Sequence, residues 1–204
     1  NYDLMNDLMS FGLHRLWKKM AVNSSKIRQD YKILDLAGGT GDISKLISKK
    51  INNSGMVVLS DINLKMLEAG RDKLIDEGIS NVQFAQLDAH LLPFQKDSFD
   101  LIFISFGLRN FVNKNKALKS ILDCLKPGAG LSILEFSKPK NEYFRELYDL
   151  YSFELIPKIG ELVVKDDESY RYLAESIRMH PDQEELKSLM EEVGFAKCEY
   201  YDLT

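Results

Sequence analysis

The 204-residue chain holds only two cysteines, Cys124 and Cys198, far apart in sequence. That excludes a disulfide framework and any zinc-type ligand spacing, and it reads as a reduced compartment, cytoplasm or organelle matrix. Its three histidines, His14, His90 and His180, are scattered, so no metal is expected. Long hydrophobic runs are lacking too. The most apolar stretch, 99–108, is interrupted by Asp100 and Ser105 and falls far short of the roughly 20 residues that span a bilayer. We see no signal peptide, and the chain opens at Asn1 rather than Met, which reads as a fragment or trimmed chain. Excess positive charge is missing: 27 Lys and Arg against 31 Asp and Glu give a net charge of −4. A protein that grips nucleic acid through phosphates is usually basic, so no nucleic-acid partner is expected.

What remains is ordinary globular material, 28% charged and 45% hydrophobic, in a length that suits one domain with a real core. Repeats and low-complexity tracts are absent. Residues 32–136 alternate short apolar runs with helical patterns, the signature of parallel βαβ units. The spacing predicts strands at Lys32–Ala37, Met56–Ser60, Val82–Leu87, Phe99–Ser105 and Gly130–Phe136. Helices are expected at Asp42–Lys50, Asn63–Glu77 and Lys114–Leu125, punctuated by Gly78 and by Pro127-Gly128. Before this core, residues 2–20 read as one helix, with acids Asp3 and Asp7 near its start and Arg15, Lys18 and Lys19 near its end. After it, 141–194 reads as two to four helices interrupted at Pro157, Gly160 and Pro181. A last strand is expected at Lys197–Leu203.

The chemistry concentrates at predicted strand ends. The run Asp35-Leu36-Ala37-Gly38-Gly39-Thr40-Gly41-Asp42 follows a strand and opens a helix, where glycines let backbone approach a ligand. The dinucleotide pattern needs Gly at 44, and Ser44 stands there. The spacing fits instead the glycine loop of S-adenosylmethionine (SAM) enzymes; a plain tight βα turn is the structural alternative. Asp61, with Ile62 beside it, follows the second strand, where a carboxylate can accept both ribose hydroxyls or cap the next helix. Asp88 follows the third strand and can accept from the adenine amino group, while the Ala89 amide serves a ring nitrogen. A nicotinamide oxidoreductase does not require that third acid. Ser105 ends the fourth strand at the crevice of an open α/β sheet. Gly107 is read as relaxing the backbone at the pocket mouth. Arg109 places a permanent cation there, suited to stabilising an oxyanion or orienting water, or to pairing with an acid.

Together these residues resemble the ubiquinone/menaquinone C-methyltransferases, the UbiE family, over essentially the whole chain. The N-terminal run from Tyr2 to Gly12 looks like one family signature, and Ser169-Tyr170-Arg171-Tyr172-Leu173-Ala174-Glu175-Ser176-Ile177, running on to Gln183, like another. Leu34–Asp42, Asp61–Asn63, Ser105–Asn110 and Leu134–Pro139 look like its internal segments. A generic methyltransferase would share the loop but not both end signatures.

The resemblance implies a class I, Rossmann-like α/β fold: a mostly parallel sheet with helices on both faces, a helical lid, and a final antiparallel strand that is truncated here. It implies one methyltransferase domain over 1–204 with SAM contacts at Thr40, Asp61, Asp88, Ala89 and Ser105. The adenine-side position is commonly Asn in the family and is Asp88 here; Gly128-Ala129 stands where Gly-Gly is usual. The implied substrate is a polyprenylated benzoquinol or demethylmenaquinol, methylated at a ring carbon with no metal. Arg109 is the expected catalytic group, with His14, His180 and Tyr170 as candidates for proton transfer or hydroxyl contact. Met and Leu side chains of the N-terminal helix would cover the isoprenoid tail, and its bases suggest contact with a membrane surface. A homodimer and a place in a quinone-synthesis complex are further expectations. The competing readings are a SAM enzyme for another small molecule and a non-catalytic subunit that binds SAM or lipid.

Overall fold

A computed structural model of the chain describes residue 10 and residues 12–51, 54–137 and 167–203, with side chains from 171 onward in the last segment. The expected elements within 2–9 and 138–166 lie outside the described residues, as does the Tyr170 side chain. The chain divides into two compact units, 1–17 with 136–186 and 18–135 with 187–204.

The larger unit is built on β1 (Lys32–Leu36), β2 (Met56–Asp61), β3 (Val82–Gln86), β4 (Phe99–Ser105) and β5 (Leu125–Leu134). All pair in parallel, in the order β3-β2-β1-β4-β5. Strands covered on both faces read as continuous apolar runs, and here Ile33, Leu34, Leu36, Val57, Leu59, Ile102, Phe103 and Ile104 form the buried centre. The order reverses between β1 and β4, the switch point where a crevice opens at the strands' carboxyl ends. Three helices connect the strands: α2 (Asp42–Ser48), α3 (Leu64–Asp76) and α4 (Lys114–Cys124). Asn63 caps α3 by accepting from the Lys65 and Met66 amides, and Asn113 caps α4 by accepting from the Lys116 amide.

Three expectations change. The helix expected over 2–20 is interrupted: Gly12 lies at φ 77°, residues 12–13 form a turn, and α1 runs from His14 to Ser24. A helix cannot continue through a left-handed residue. Next, β5 begins at Leu125, not Gly130. Its register jumps from Phe99↔Leu125 to Leu101↔Gly130, and the bulge accommodates Pro127, which has no amide to give a ladder. Finally, 197–203 is not a strand. Alternating side chains make a strand only where a neighbour accepts the ladder bonds, and among the described residues none pairs with this segment.

In the smaller unit, α5 (Asp167–Met179) buries Leu173, Ala174 and Ile177, spaced to share one helix face. The Trp17 ring meets Phe136 edge-on, with centroids 6.2 Å apart. Helix α6 (Gln183–Val193) follows and crosses the boundary between the units.

Candidate functional site

The residues Asp35, Gly38–Gly41, Asp61, Ile62, Asp88, Ala89, Ser105 and Arg109 all fall in the larger unit, at the carboxyl ends of β1, β2, β3 and β4. The glycine loop is held from below and from the side. Gly38 has no room for a side chain, since a Cβ would lie 2.4 Å from Leu59 Cδ1 and 2.7 Å from Asp35 Cγ. Gly39 and Gly41 take left-handed φ values of 55° and 80°, which glycine adopts without steric cost. Gly70, inside α3, lets that helix approach the loop; a Cβ there would meet the Gly39 carbonyl at 2.8 Å. This explains a glycine in a helix interior, where it costs about 1 kcal/mol against alanine.

Two carboxylates brace the loop. Asp35 is fully buried; its Oδ2 accepts from the Ser44 amide (2.9 Å) and hydroxyl (2.7 Å). Its Oδ1 has no partner among the described residues. Burial, offset in part by the Ser44 bonds, raises the Asp35 carboxyl to about 6. Asp61 Oδ2 accepts from the Gly39 amide at 2.9 Å and Oδ1 from the Asn63 amide at 2.8 Å. The cap of α3 is Asn63, so Asp61 holds the loop and still has lone pairs for a ligand. Ile62 beside it is 64% exposed, an apolar face at the crevice edge.

Asp88 lies just past β3, one strand over from Asp61, whose register partner is Gln86. Its Oδ1 accepts from the His90 amide (2.9 Å) and pairs with His90 Nδ1 (2.6 Å). These bonds hold the Asp88 carboxyl below its usual range. Ala89 is buried. The Ser105 hydroxyl, at the end of β4, is buried with no partner among the described residues.

Beyond Ser105 the geometry departs from expectation. The left-handed residue is Phe106 (φ 56°), matched by Ala37 (φ 55°) after β1. Both flank the switch point, where strained backbone often marks a site. Gly107 sits at φ −113°, so its glycine supplies space rather than backbone freedom: a Cβ would lie 2.8 Å from Ala37 Cβ. The Arg109 side chain is 1% exposed, and its Nη1 donates to Glu135 Oε1 at 2.8 Å and to the Phe106 carbonyl. The Arg109 amide donates to Glu135 Oε2 at 3.1 Å. Glu135 is 4% exposed. The guanidinium thus faces its own turn and a buried acid.

A second cluster joins α1 to the loop. Asp42 accepts from Lys18 Nζ at 2.8 Å and Lys73 Nζ at 2.6 Å. Burial alone would raise the Asp42 carboxyl, but the two lysines hold it at about 2. Lys18 Nζ also stands 6.0 Å from the Phe106 ring centroid.

His14 and Tyr170 belong to the smaller unit. His14 is buried, its Nδ1 3.1 Å from Ser10 Oγ; Tyr170 is placed by its backbone in α5. His180 is buried just after that helix. Sequence reasoning missed the Asp88–His90 pair and the Lys18–Asp42–Lys73 cluster. The two-residue spacing of Asp88 and His90 was a usable signal; the lysines, 24 and 31 positions from Asp42, gave none. Among the described residues no group of His, Cys, Asp or Glu could hold a metal.

The sequence profile of the ubiE/COQ5 methyltransferase family matches residues 1–204. The chain is 59% identical over 203 residues to the ubiquinone/menaquinone biosynthesis C-methyltransferase UbiE of Methylococcus capsulatus, covering 99% of this chain and 82% of that protein. It is 56% identical over 204 residues to the protein of the same name from Cronobacter sakazakii, covering 100% and 81%. A SAM-dependent methyltransferase from Aquifex aeolicus shares the fold, with a TM-score of 0.58 at 21% identity over 76% of this chain and 81% of that one.

Proposed function

Because the chain belongs to the ubiE/COQ5 methyltransferase family, we propose that it is the SAM-dependent C-methyltransferase of ubiquinone and menaquinone biosynthesis, methylating the ring of a polyprenylated benzoquinol or demethylmenaquinol. The observation that carries this reading is the agreement of two independent lines. One is 59% identity over nearly the full chain to a protein of that name. The other is a braced glycine loop with Asp61, Asp88 and the Ser105 hydroxyl at adjoining strand ends. The residues fit SAM: a glycine cradle for close approach, Asp61 for the ribose hydroxyls, Ile62 against a base, and Asp88 with the Ala89 amide for the adenine edge. Bound SAM supplies an electrophilic methyl group on a sulfonium sulfur.

The chain's contribution is chiefly placement. Holding a ring carbon in line with the methyl group at attack distance removes much of the entropic barrier. Asp61 fixes the loop and the ribose together. The Ser105 hydroxyl, buried with no partner among the described residues, is assigned to the cofactor. Arg109 was expected at the reacting oxygen; buried against Glu135, it acts as a positioning residue that holds Phe106 in its left-handed conformation at the pocket mouth. His14 and Tyr170 are proposed for the quinol side.

We further propose that α1 meets a membrane surface, where the polyprenyl substrate resides. Leu16 and Met20 are exposed on it, with Leu13 exposed in the turn just before it, alongside the exposed bases Arg15 and Lys19. No described helix is long and apolar enough to cross a membrane. A homodimer and a quinone-synthesis complex belong to the same proposal.

The test is transfer of labelled methyl from SAM to short-chain demethyl-quinols under reducing conditions, with the product mapped. Ring C-methylation is expected. Binding of SAM without turnover on authentic quinol would favour a non-catalytic subunit, and turnover on soluble phenols alone would refute the quinol assignment.

A further inference from the structure

We infer that His90 sets the site's selectivity for a 6-amino purine, by locking the Asp88 carboxylate into one orientation. This rests on the assignment of Asp88 to the adenine edge. The Asn113 backbone amide points at His90 Nε2 from 3.2 Å. An amide only donates, so Nε2 accepts, and the proton of the neutral ring sits on Nδ1. That proton is donated to Asp88 Oδ1 at 2.6 Å, where the His90 amide also donates at 2.9 Å. Asn113 is itself fixed as the cap of α4, its side chain accepting from the Lys116 amide at 2.9 Å. Phe111 holds the imidazole from another side, with centroids 6.0 Å apart. A rigid path therefore runs from the start of α4 through His90 to one carboxylate oxygen.

The consequence falls on the other oxygen. Oδ1 takes two donors, matching its two lone pairs, while Oδ2 has no partner among the described residues. Asp88 is 51% exposed, and His90 is 20% exposed. Without the imidazole bond only the His90 amide would hold Oδ1, and a half-exposed carboxylate would turn more freely and be solvated on both oxygens. With it, Oδ2 presents a fixed acceptor and no donor. Such a group pairs with an exocyclic amine and repels a 6-oxo group. An Asn at position 88 could turn its amide to serve either; an ionised Asp cannot.

The experiment compares binding of S-adenosylhomocysteine and its 6-oxo analogue, S-inosylhomocysteine, to the full chain by calorimetry. The wild-type protein should favour the adenosyl compound by about 10–100-fold, the range for a hydrogen bond to a charged group. His90→Phe keeps a ring beside Phe111 but removes both nitrogens, and should lower that ratio at least about fivefold. His90→Asn places an amide donor where Nδ1 stood and should restore most of it. If His90→Phe does not fold, His90→Gln, whose amide reaches the Nε2 position instead, should show the same loss. An unchanged ratio in the Phe or Gln variant, or a wild-type ratio near one, overturns the inference. Failure of the folded wild type to bind S-adenosylhomocysteine would instead refute the cofactor reading. An unchanged ratio in Asp88→Asn would refute the adenine assignment of Asp88.

Discussion

Replacing Arg109 by alanine would take from the Glu135 carboxylate, 4% exposed, the guanidinium that stands 2.8 Å from it. The magnitude follows from the geometry. Unit charges about 4 Å apart attract by about 4 kcal/mol at an effective dielectric near 20. The desolvation of both ions offsets much of that in the intact pair, so the pair itself adds little. Removing one partner is different, because the other stays buried and loses a contacting opposite charge; such truncations cost about 3–5 kcal/mol, less the part that Lys114, whose charge also acts on Glu135, makes good. Arg109→Ala also frees the Phe106 carbonyl, which the guanidinium holds. Glu135→Ala should cost a similar amount, since it removes the acceptor of both the guanidinium and the Arg109 amide. The double variant removes both charges and should be less destabilised than the two singles added together, with a coupling of about 0.5–3 kcal/mol. Urea unfolding at pH 7 with unchanged m-values would measure this. Additive losses would show that the 2.8 Å contact is not an energetic pair. Wild-type stability in Arg109→Ala combined with lost turnover would refute the positioning role and return Arg109 to the reacting oxygen.

Other outcomes follow from the same site. Asp61→Ala should weaken SAM binding at least tenfold, since a hydrogen bond to a charged acceptor contributes about 1.5–3 kcal/mol; unchanged calorimetric affinity in a folded variant would remove the ribose assignment. Asp35, with its carboxyl raised from 3.8 to about 6, binds its proton more tightly folded than unfolded. Its contribution to stability therefore falls as pH rises from about 4 to about 6, by about 3 kcal/mol in all. Asp35→Asn should gain on wild type by up to that amount between pH 4 and pH 7, and a pH-independent difference would contradict this. Asp42 has the opposite sign: with its carboxyl lowered from 3.8 to about 2, its contribution is present above about pH 4 and is lost as pH falls toward 2. Asp42→Asn should thus be destabilised at pH 7 by up to about 2 kcal/mol and not at pH 2, as chemical denaturation would show. Gly107→Ala should destabilise by about 1–3 kcal/mol through its clash with Ala37, and wild-type stability would argue against the 2.8 Å approach.

The sequence by itself determined the parallel core and the placing of the glycine loop, Asp61, Asp88 and Ser105. Those features depend on local pattern: apolar runs with βαβ spacing, and a run of small residues where a strand meets a helix. Helix and strand bounds there agree with the structure to within one or two residues, except for β5. Its early start depends on a bulge against β4, and a bulge is a property of a pair of strands. The strand expected at 197–203 failed for the same reason, since a ladder needs a neighbour that local sequence does not contain. Only the tertiary structure decided what individual side chains do. The position of Arg109 beside Ser105 suggested a cation at the reacting oxygen, with pairing to an acid as the alternative; the acid it meets, Glu135, lies 26 residues away. Gly107 was legible as a special position, yet its cause is the Ala37 methyl in the loop that follows β1. The donor to His90 comes from Asn113, at the head of a helix 23 residues on, and that contact fixes the tautomer and thereby the face of Asp88. Electrostatic and steric roles of this kind act over a few ångströms in space, and folding alone brings their partners together.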